Sequence, residues 1–370
     1  MHKNIIARAT LLASTLFATT AMAEFQKGYA TLVGSTAVLP YAKALGDRVA
    51  SQGKVHSPLV QALGTGGSIK LFCEGMGPEL PDVALASREM KEKEKAECAR
   101  NGITVFELKI GYDAMILGQS NKAEPWALSS MEARMAFAKW LAGPDGAMIL
   151  NPNKTWRDIK ASLPATPIEL LGPPMTSSTH EELVDMISGL KCKSKPWVPE
   201  GTTAPTEDLL HKCRSIREDR VYQEGREDDA GQVGMIAHAD HAQIGVFDYK
   251  MMLDNADKIR AIPIDGVAPT YENIASGAYA GVRPMYFYIK TAKLSTTPGL
   301  KEVLGELITD RAWGDRGYLR DLGLIAMPAT ERASYISKLE ALGVTPGAAT
   351  SPSPAPSRSE KPAKAKKGRH

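Results

Sequence analysis

A repeated unit constrains this chain more than any other feature: a short apolar strand, a loop rich in glycine and hydroxyl residues, then an amphipathic helix. Residues 28–33 read as a strand and run into Gly34-Ser35-Thr36. Tyr41, Leu45 and Val49 follow at four-residue intervals on one helix face. Residues 57–63 form a second strand that ends in Gly64-Thr65-Gly66-Gly67-Ser68, with a helix expected from about Ile69 and Phe72 and Cys73 on its apolar side. The third unit lies far downstream. Residues 168–171 pass through Gly172-Pro173-Pro174-Met175-Thr176 to Ser177-Ser178-Thr179, and Leu183, Ile187 and Leu190 then share one helix face. This alternation predicts an α/β fold with mainly parallel strands, in which ligands sit beyond the C-terminal strand ends. No period of 20–50 residues signals a solenoid.

The two ends are different material. Lys3 and Arg8 precede an apolar run of about ten residues, and Ala21-Met22-Ala23 matches a cleavage site, so 1–23 reads as a signal peptide with Glu24 first in the exported chain. The apolar run is too short to anchor the chain in a membrane. From 346 to 370 no side chain is larger in apolar bulk than Ala or Pro, and six Lys/Arg face one Glu, which reads as a disordered Pro/Lys-rich tail. The formal net charge of +3 hides this asymmetry. The residues between the two ends hold 37 basic and 41 acidic side chains, a balance of −4. No basic excess therefore points to nucleic acid, and any anion capture rests on oriented N–H groups and hydroxyls.

The three hydroxyl-rich loops carry the chemistry. A helix N-terminus leaves backbone N–H groups unpaired and has partial positive character, glycine lets a ligand approach, and Ser or Thr adds donors. One such loop is ordinary helix capping, whereas three at matching strand ends suit a tetrahedral oxyanion. Gly64-Thr65-Gly66-Gly67-Ser68-Ile69 lacks the third glycine of a dinucleotide fingerprint and the Gly-Lys-Ser/Thr of a P-loop. His238 and His241 sit three apart near Asp240, but no nearby Cys or Glu completes a metal site. His180 beside three hydroxyl residues suggests a nucleophile and base, yet no Gly-x-Ser-x-Gly elbow is present.

Gly34-Ser35-Thr36, residues 64–73, Ala86-Ser87-Arg88, Gly111-Tyr112-Asp113, Ser177-Ser178-Thr179, residues 245–249 and residues 262–267 occur in an order and spacing that matter together. On these segments the chain resembles the substrate-binding proteins of phosphate-type ABC transporters, over nearly all of 24–345. The resemblance implies a type II, two-domain "Venus flytrap": an α/β fold with a ligand cleft between domain I (24–110 and 283–345) and domain II (111–282), and a hinge at residues 111–117 and 285–290. It implies ligand contacts from Ser35, Thr36, Thr65, Gly66, Ser87 and Arg88 on one side, and from Ser177, Ser178 and Thr179 on the other. Arg88 stands where well-studied members carry an aspartate, Ser178 where they carry glycine, and His180 where many carry arginine. As a planar guanidinium Arg88 would grip an oxyanion bidentately; otherwise it pairs with Glu89 or Glu92.

Beside this resemblance, Cys73–Cys98 and Cys192–Cys213 are expected as disulfides in an oxidising periplasm, although four cysteines allow three pairings. The expected function is capture of inorganic phosphate or a similar oxyanion for a membrane ABC permease. The protein is expected to act as a monomer, without cofactor, metal or catalysis. The alternatives are a same-fold binding or signalling protein without tight phosphate binding, and a periplasmic hydrolase.

Overall fold

In a computed structural model, residues 28–53, 55–144, 147–175, 178–188, 192, 204–225 and 230–347 are described. The expected signal peptide, Ser177 and the tail beyond 347 lie outside them. No helix among the described residues is long and apolar enough to cross a membrane.

The first two repeats fold close to expectation. β1 (Thr31–Gly34) leads to α1 (Leu39–Ala50), and β2 (Leu59–Ala62) leads to α2 (Gly64–Cys73). Pro40 sits in the first turn of α1, where its missing N–H costs nothing. Tyr41, Leu45 and Val49 are buried, as their spacing requires. The second loop differs from expectation. The helix begins at Gly64 rather than near Ile69, because Gly64 takes a left-handed φ of 67° that turns the chain straight into the helix. Ser68 is tolerated inside α2 because its hydroxyl donates to the Thr65 carbonyl at 2.9 Å.

β3 (Val83–Ala86) and α3 (Glu92–Arg100) follow, then β4 (Val105–Ser120), a 16-residue strand that unites two segments read separately in the sequence. Next come α4 (Ser130–Phe137), β5 (Trp140–Ala142), β6 (Met148–Leu150), α5 (Trp156–Ile159), β7 (Glu169–Gly172) and α6 (Ser178–Ser188). They are followed by α7 (Glu207–Cys213), β8 (Tyr222–Glu224), α8 (Ala230–His238), β9 (Gln243–Asp248), α9 (Tyr249–Asp254), β10 (Ile259–Ala261) and α10 (Tyr271–Ala275). β11 (Val282–Lys290) returns, and α11 (Leu300–Leu307), α12 (Asp310–Trp313), α13 (Tyr318–Asp321) and α14 (Ala329–Ala341) close the described chain.

The main sheet runs β2-β1-β3-β11-β4-β9-β7-β8, with β10 on β4. β2-β1-β3 and β9-β7-β8 are parallel trios, but β11 and β4 are antiparallel to each other and to their neighbours, so the sheet is mixed rather than mainly parallel. One strand leaves and the other comes back, and paired side by side they must oppose. Two large apolar cores lie at the two ends of this sheet. One is built on Leu32, Leu45, Phe287, Val303 and Trp313, the other on Ile116, Phe137, Trp156, Leu183 and Ile244. Each fully buried side chain of this size contributes roughly 1.5–3 kcal/mol.

Two glycines fix how the strands meet. The β4/β11 register shifts between Met285 and Tyr286, opposite Gly111. Gly111 has a φ of 150°, and a Cβ there would stand 2.6 Å from the Ile325 carbonyl oxygen. At Gly34 a Cβ would run into the carbonyl oxygen of Leu85 on the paired strand β3. Gly34→Ala should therefore push β1 off β3 and cost about 1–3 kcal/mol, the usual range for overpacking. Denaturant unfolding checks this, and an unchanged midpoint would contradict the close approach.

Candidate functional site

Three strand ends from the first trio bring their hydroxyls to one point. Ser35 follows β1, Thr65 opens α2 and Ser87 follows β3; all three side chains are buried. Ser35 Oγ donates to Ser87 Oγ at 3.1 Å, and Thr65 Oγ1 lies 3.0 Å from the same atom. Thr65 Oγ1 also accepts from the Ser87 backbone N–H at 3.1 Å. The close β1–β3 approach at Gly34 sets this spacing, and the Ser35 backbone N–H donates to the Leu85 carbonyl at 2.9 Å. Residues 30 and 52 positions apart in sequence thus form one hydroxyl cluster.

The other side of the cleft is α6. Ser177 is outside the described residues, and Ser178 is the first residue of the helix. Thr179 comes within 3.4 Å of Arg283 Nη1. One turn further, Glu182 forms an ion pair with the same guanidinium. Arg283 lies on β11, and its Nε and Nη2 donate to Asp113 Oδ2 on β4 at 3.1 and 2.6 Å. Asp113 also accepts from the Ala114 N–H at 2.7 Å. The side chains of Arg283 and Asp113 are only 4% and 5% exposed, so this is a buried pair between the crossing strands.

The electrostatics follow from that burial. Desolvation works to lower the Arg283 pKa, but Glu182 and Asp113 outweigh it and raise it well above the usual value, so the guanidinium stays charged. Burial drives the Glu182 carboxyl up, and nearby Asp113 adds to this; Arg283 and the Ser87 hydroxyl oppose it without cancelling it. Asp248, at the N-cap of α9, is raised by burial and then by Asp113. A cavity of about 430 Å³ opens here, lined by Thr36, Tyr41, Asp113, Thr179, Asp248 and Arg283 among others.

Arg88 is placed differently from the bidentate anion grip expected of it. Its two Nη atoms donate to the two carboxylate oxygens of Glu94 at 2.9 Å each, and Nη1 also donates to the Glu89 carbonyl at 2.9 Å. The partner is Glu94 rather than Glu89 or Glu92, because Glu94 is held at the start of α3 by the Lys91 N–H at 2.7 Å. Burial works to lower the Arg88 pKa, but Glu94, then Glu181 and Asp185 of α6, raise it. Gly66 lies at the same contact: a Cβ there would meet Glu181 Oε1 at 3.7 Å and Arg88 Nη2 at 3.8 Å.

His180 is buried and packs edge-on against Tyr222, with ring centroids 6.2 Å apart; burial lowers its pKa. His241 lies 3.0 Å from Glu169 and 3.3 Å from Asp240. The disulfides are Cys73–Cys98, joining α2 to α3, and Cys192–Cys213. Sequence reasoning missed Glu182 and Arg283, and it quoted Asp113 only within a motif. An arginine inside the apolar strand Val282–Lys290 is the one signal that such a chain needs a buried counter-charge.

The model of the PBP superfamily domain matches residues 19–311. Protein SphX of Synechococcus elongatus is 26% identical over 275 residues, 72% of this chain and 69% of its own length. Phosphate-binding protein PstS of Staphylococcus saprophyticus is 22% identical over 314 residues, 83% of each chain. The crystal structure of an ABC-type phosphate transport receptor from Vibrio cholerae has the same fold, with a TM-score of 0.57 at 16% identity, covering 81% of this chain and all of that one. With the matched domain spanning most of its length, the chain belongs to the PBP superfamily.

Proposed function

We propose that this protein is a periplasmic receptor that captures inorganic phosphate or a related oxyanion between two lobes and hands it to an ABC permease in the membrane. The lobes would be 24–110 with 283–345, and 111–282, exported behind the cleaved segment 1–23. The observation that carries the reading is the Ser35–Ser87–Thr65 hydroxyl cluster, whose Ser87 lies beside Glu182 of α6, the ion-pair partner of Arg283. In this reading donors from Ser35, Thr36, Thr65, Gly66 and Ser87 would meet those of Ser177, Ser178 and Thr179 on the ligand, a set that suits a tetrahedral anion. The names of SphX, PstS and the phosphate transport receptor among its relatives support the same ligand. Arg88, paired with Glu94 through both Nη atoms, is left out of the donors aimed at the anion in this reading. Capture needs closure but no covalent step, and one chain suffices for it.

Calorimetry with phosphate, sulfate, molybdate and citrate tests this. Phosphate should bind at one site per chain. Thr65→Ala and Ser177→Ala should each weaken it by roughly 1–3 kcal/mol, because a charged acceptor loses a donor in a buried site. Unchanged affinity in both variants would place the ligand elsewhere. Turnover of p-nitrophenyl phosphate that vanishes in Ser177→Ala would replace capture with hydrolysis.

A further inference from the structure

An anion site is expected to present donors to an empty space, yet here a carboxylate already stands among them. Glu182 comes from α6 on the far side of the cleft and pairs with Arg283 of the crossing strand β11. Its carboxyl end also lies near the Ser87 hydroxyl, the central member of the Ser35–Ser87–Thr65 cluster. Among the described residues one of its oxygens, Oε1, is buried without a hydrogen-bond partner. A buried acceptor left in that state costs about 1–3 kcal/mol. Ionised, Glu182 and Asp113 place two negative charges on one guanidinium, and Asp248 lies behind Asp113. An incoming oxyanion meets that charge before it meets a free cation.

Given that the cleft captures an oxyanion, we infer that Glu182 is an internal carboxylate standing in for the ligand: it holds the lobes together through Arg283 and must leave that guanidinium before phosphate enters. The geometry also sets the sign of the pH response. Arg283 of β11, Asp113 of β4 and the Ser87 hydroxyl face Glu182. Arg88 and Glu181 lie at the neighbouring α2–α6 contact. Arg134 of α4 sits at the far end of α6, donating to the Ile187 and Cys213 carbonyls. Arg283 remains charged throughout, so the titrating member is the carboxyl. Protonation on acidification removes its charge, frees Arg283 and favours the ligand.

Two readouts test this with the isosteric variant Glu182→Gln, and with Glu182→Ala as a second variant. The first needs no ligand. Spin labels placed through Lys43→Cys and Asp257→Cys, at exposed positions on either side of the cleft, report the distance between the lobes. Both Glu182 variants should lengthen or broaden that distance in the ligand-free protein, and an unchanged distribution overturns the inference. The second is phosphate affinity. At pH 8 Glu182→Gln should bind phosphate about tenfold more tightly, as expected when one like charge is removed at close range. The advantage should shrink as pH falls. Weaker phosphate binding by Glu182→Gln at pH 8 makes Glu182 a ligand-holding group and overturns the inference. Should neither wild type nor variant bind phosphate at any pH, the phosphate reading fails, while the ligand-free distance still decides the role of Glu182.

Discussion

Arg283→Met should cost about 3–5 kcal/mol of folding stability, the range for removing one partner of a buried ion pair. The guanidinium bridges β11, β4 and α6 at once, through Asp113, Glu182 and Thr179. Methionine fills part of the volume but leaves Asp113 and Glu182 as buried carboxylates without a counter-charge. The Glu182 carboxyl, already pushed up by burial, would then lose the guanidinium that opposes the shift. A carboxyl whose folded pKa is raised above its unfolded value stays protonated in the fold through pH values at which the unfolded chain has already lost its proton. The variant should therefore recover stability as pH falls and lose it as pH rises through that window. Denaturant unfolding at pH 5 and pH 8 checks both the size and the slope. A cost below about 1 kcal/mol at pH 8 would show that the pair is not a buried, desolvated one.

Loss of the Cys73–Cys98 bridge is the second large effect. It closes a 25-residue separation and joins the C-terminus of α2 to α3. In the loop-entropy model such a link contributes roughly 3 kcal/mol, and removing a native disulfide typically costs about 2–5 kcal/mol. Both half-cystines are buried in a small core with Ile69, Phe72, Met90, Tyr286 and Tyr288. Cys73→Ala with Cys98→Ala should lower the unfolding midpoint accordingly. Phosphate affinity should fall with it, because α2 carries Thr65 at one end and the bridge at the other. Removing Cys192–Cys213 is expected to touch stability more than affinity, since its core contacts are the partly buried Trp140 and Met148. Equal loss of affinity in the two double variants would argue against this division.

Local pattern foretold the parts of the fold that local physics decides. The four-residue spacing of Tyr41, Leu45 and Val49 buried the intended face of α1, and the hydroxyl loops marked Ser35 and Thr65 correctly as strand-end residues. The start of α2 was misplaced because a left-handed Gly64 can begin a helix as readily as it prolongs a loop. What pattern could not reveal is long-range pairing. Arg283 meets Asp113 across 170 positions and Glu182 across 101. Only the crossing of β4 and β11 brings those side chains together. Arg88 illustrates the same limit at short range: its nearest acidic neighbours in sequence lost to Glu94, whose position is set by the first turn of α3.

The most direct test of oxyanion capture is a crystal structure of the protein grown with saturating inorganic phosphate. The account predicts one phosphate within hydrogen-bond distance of the Ser35, Thr65 and Ser87 hydroxyls and of the first turn of α6, at the cluster now closed upon itself. Phosphate bound only outside this cleft, or a cleft that stays empty at saturation, would contradict it.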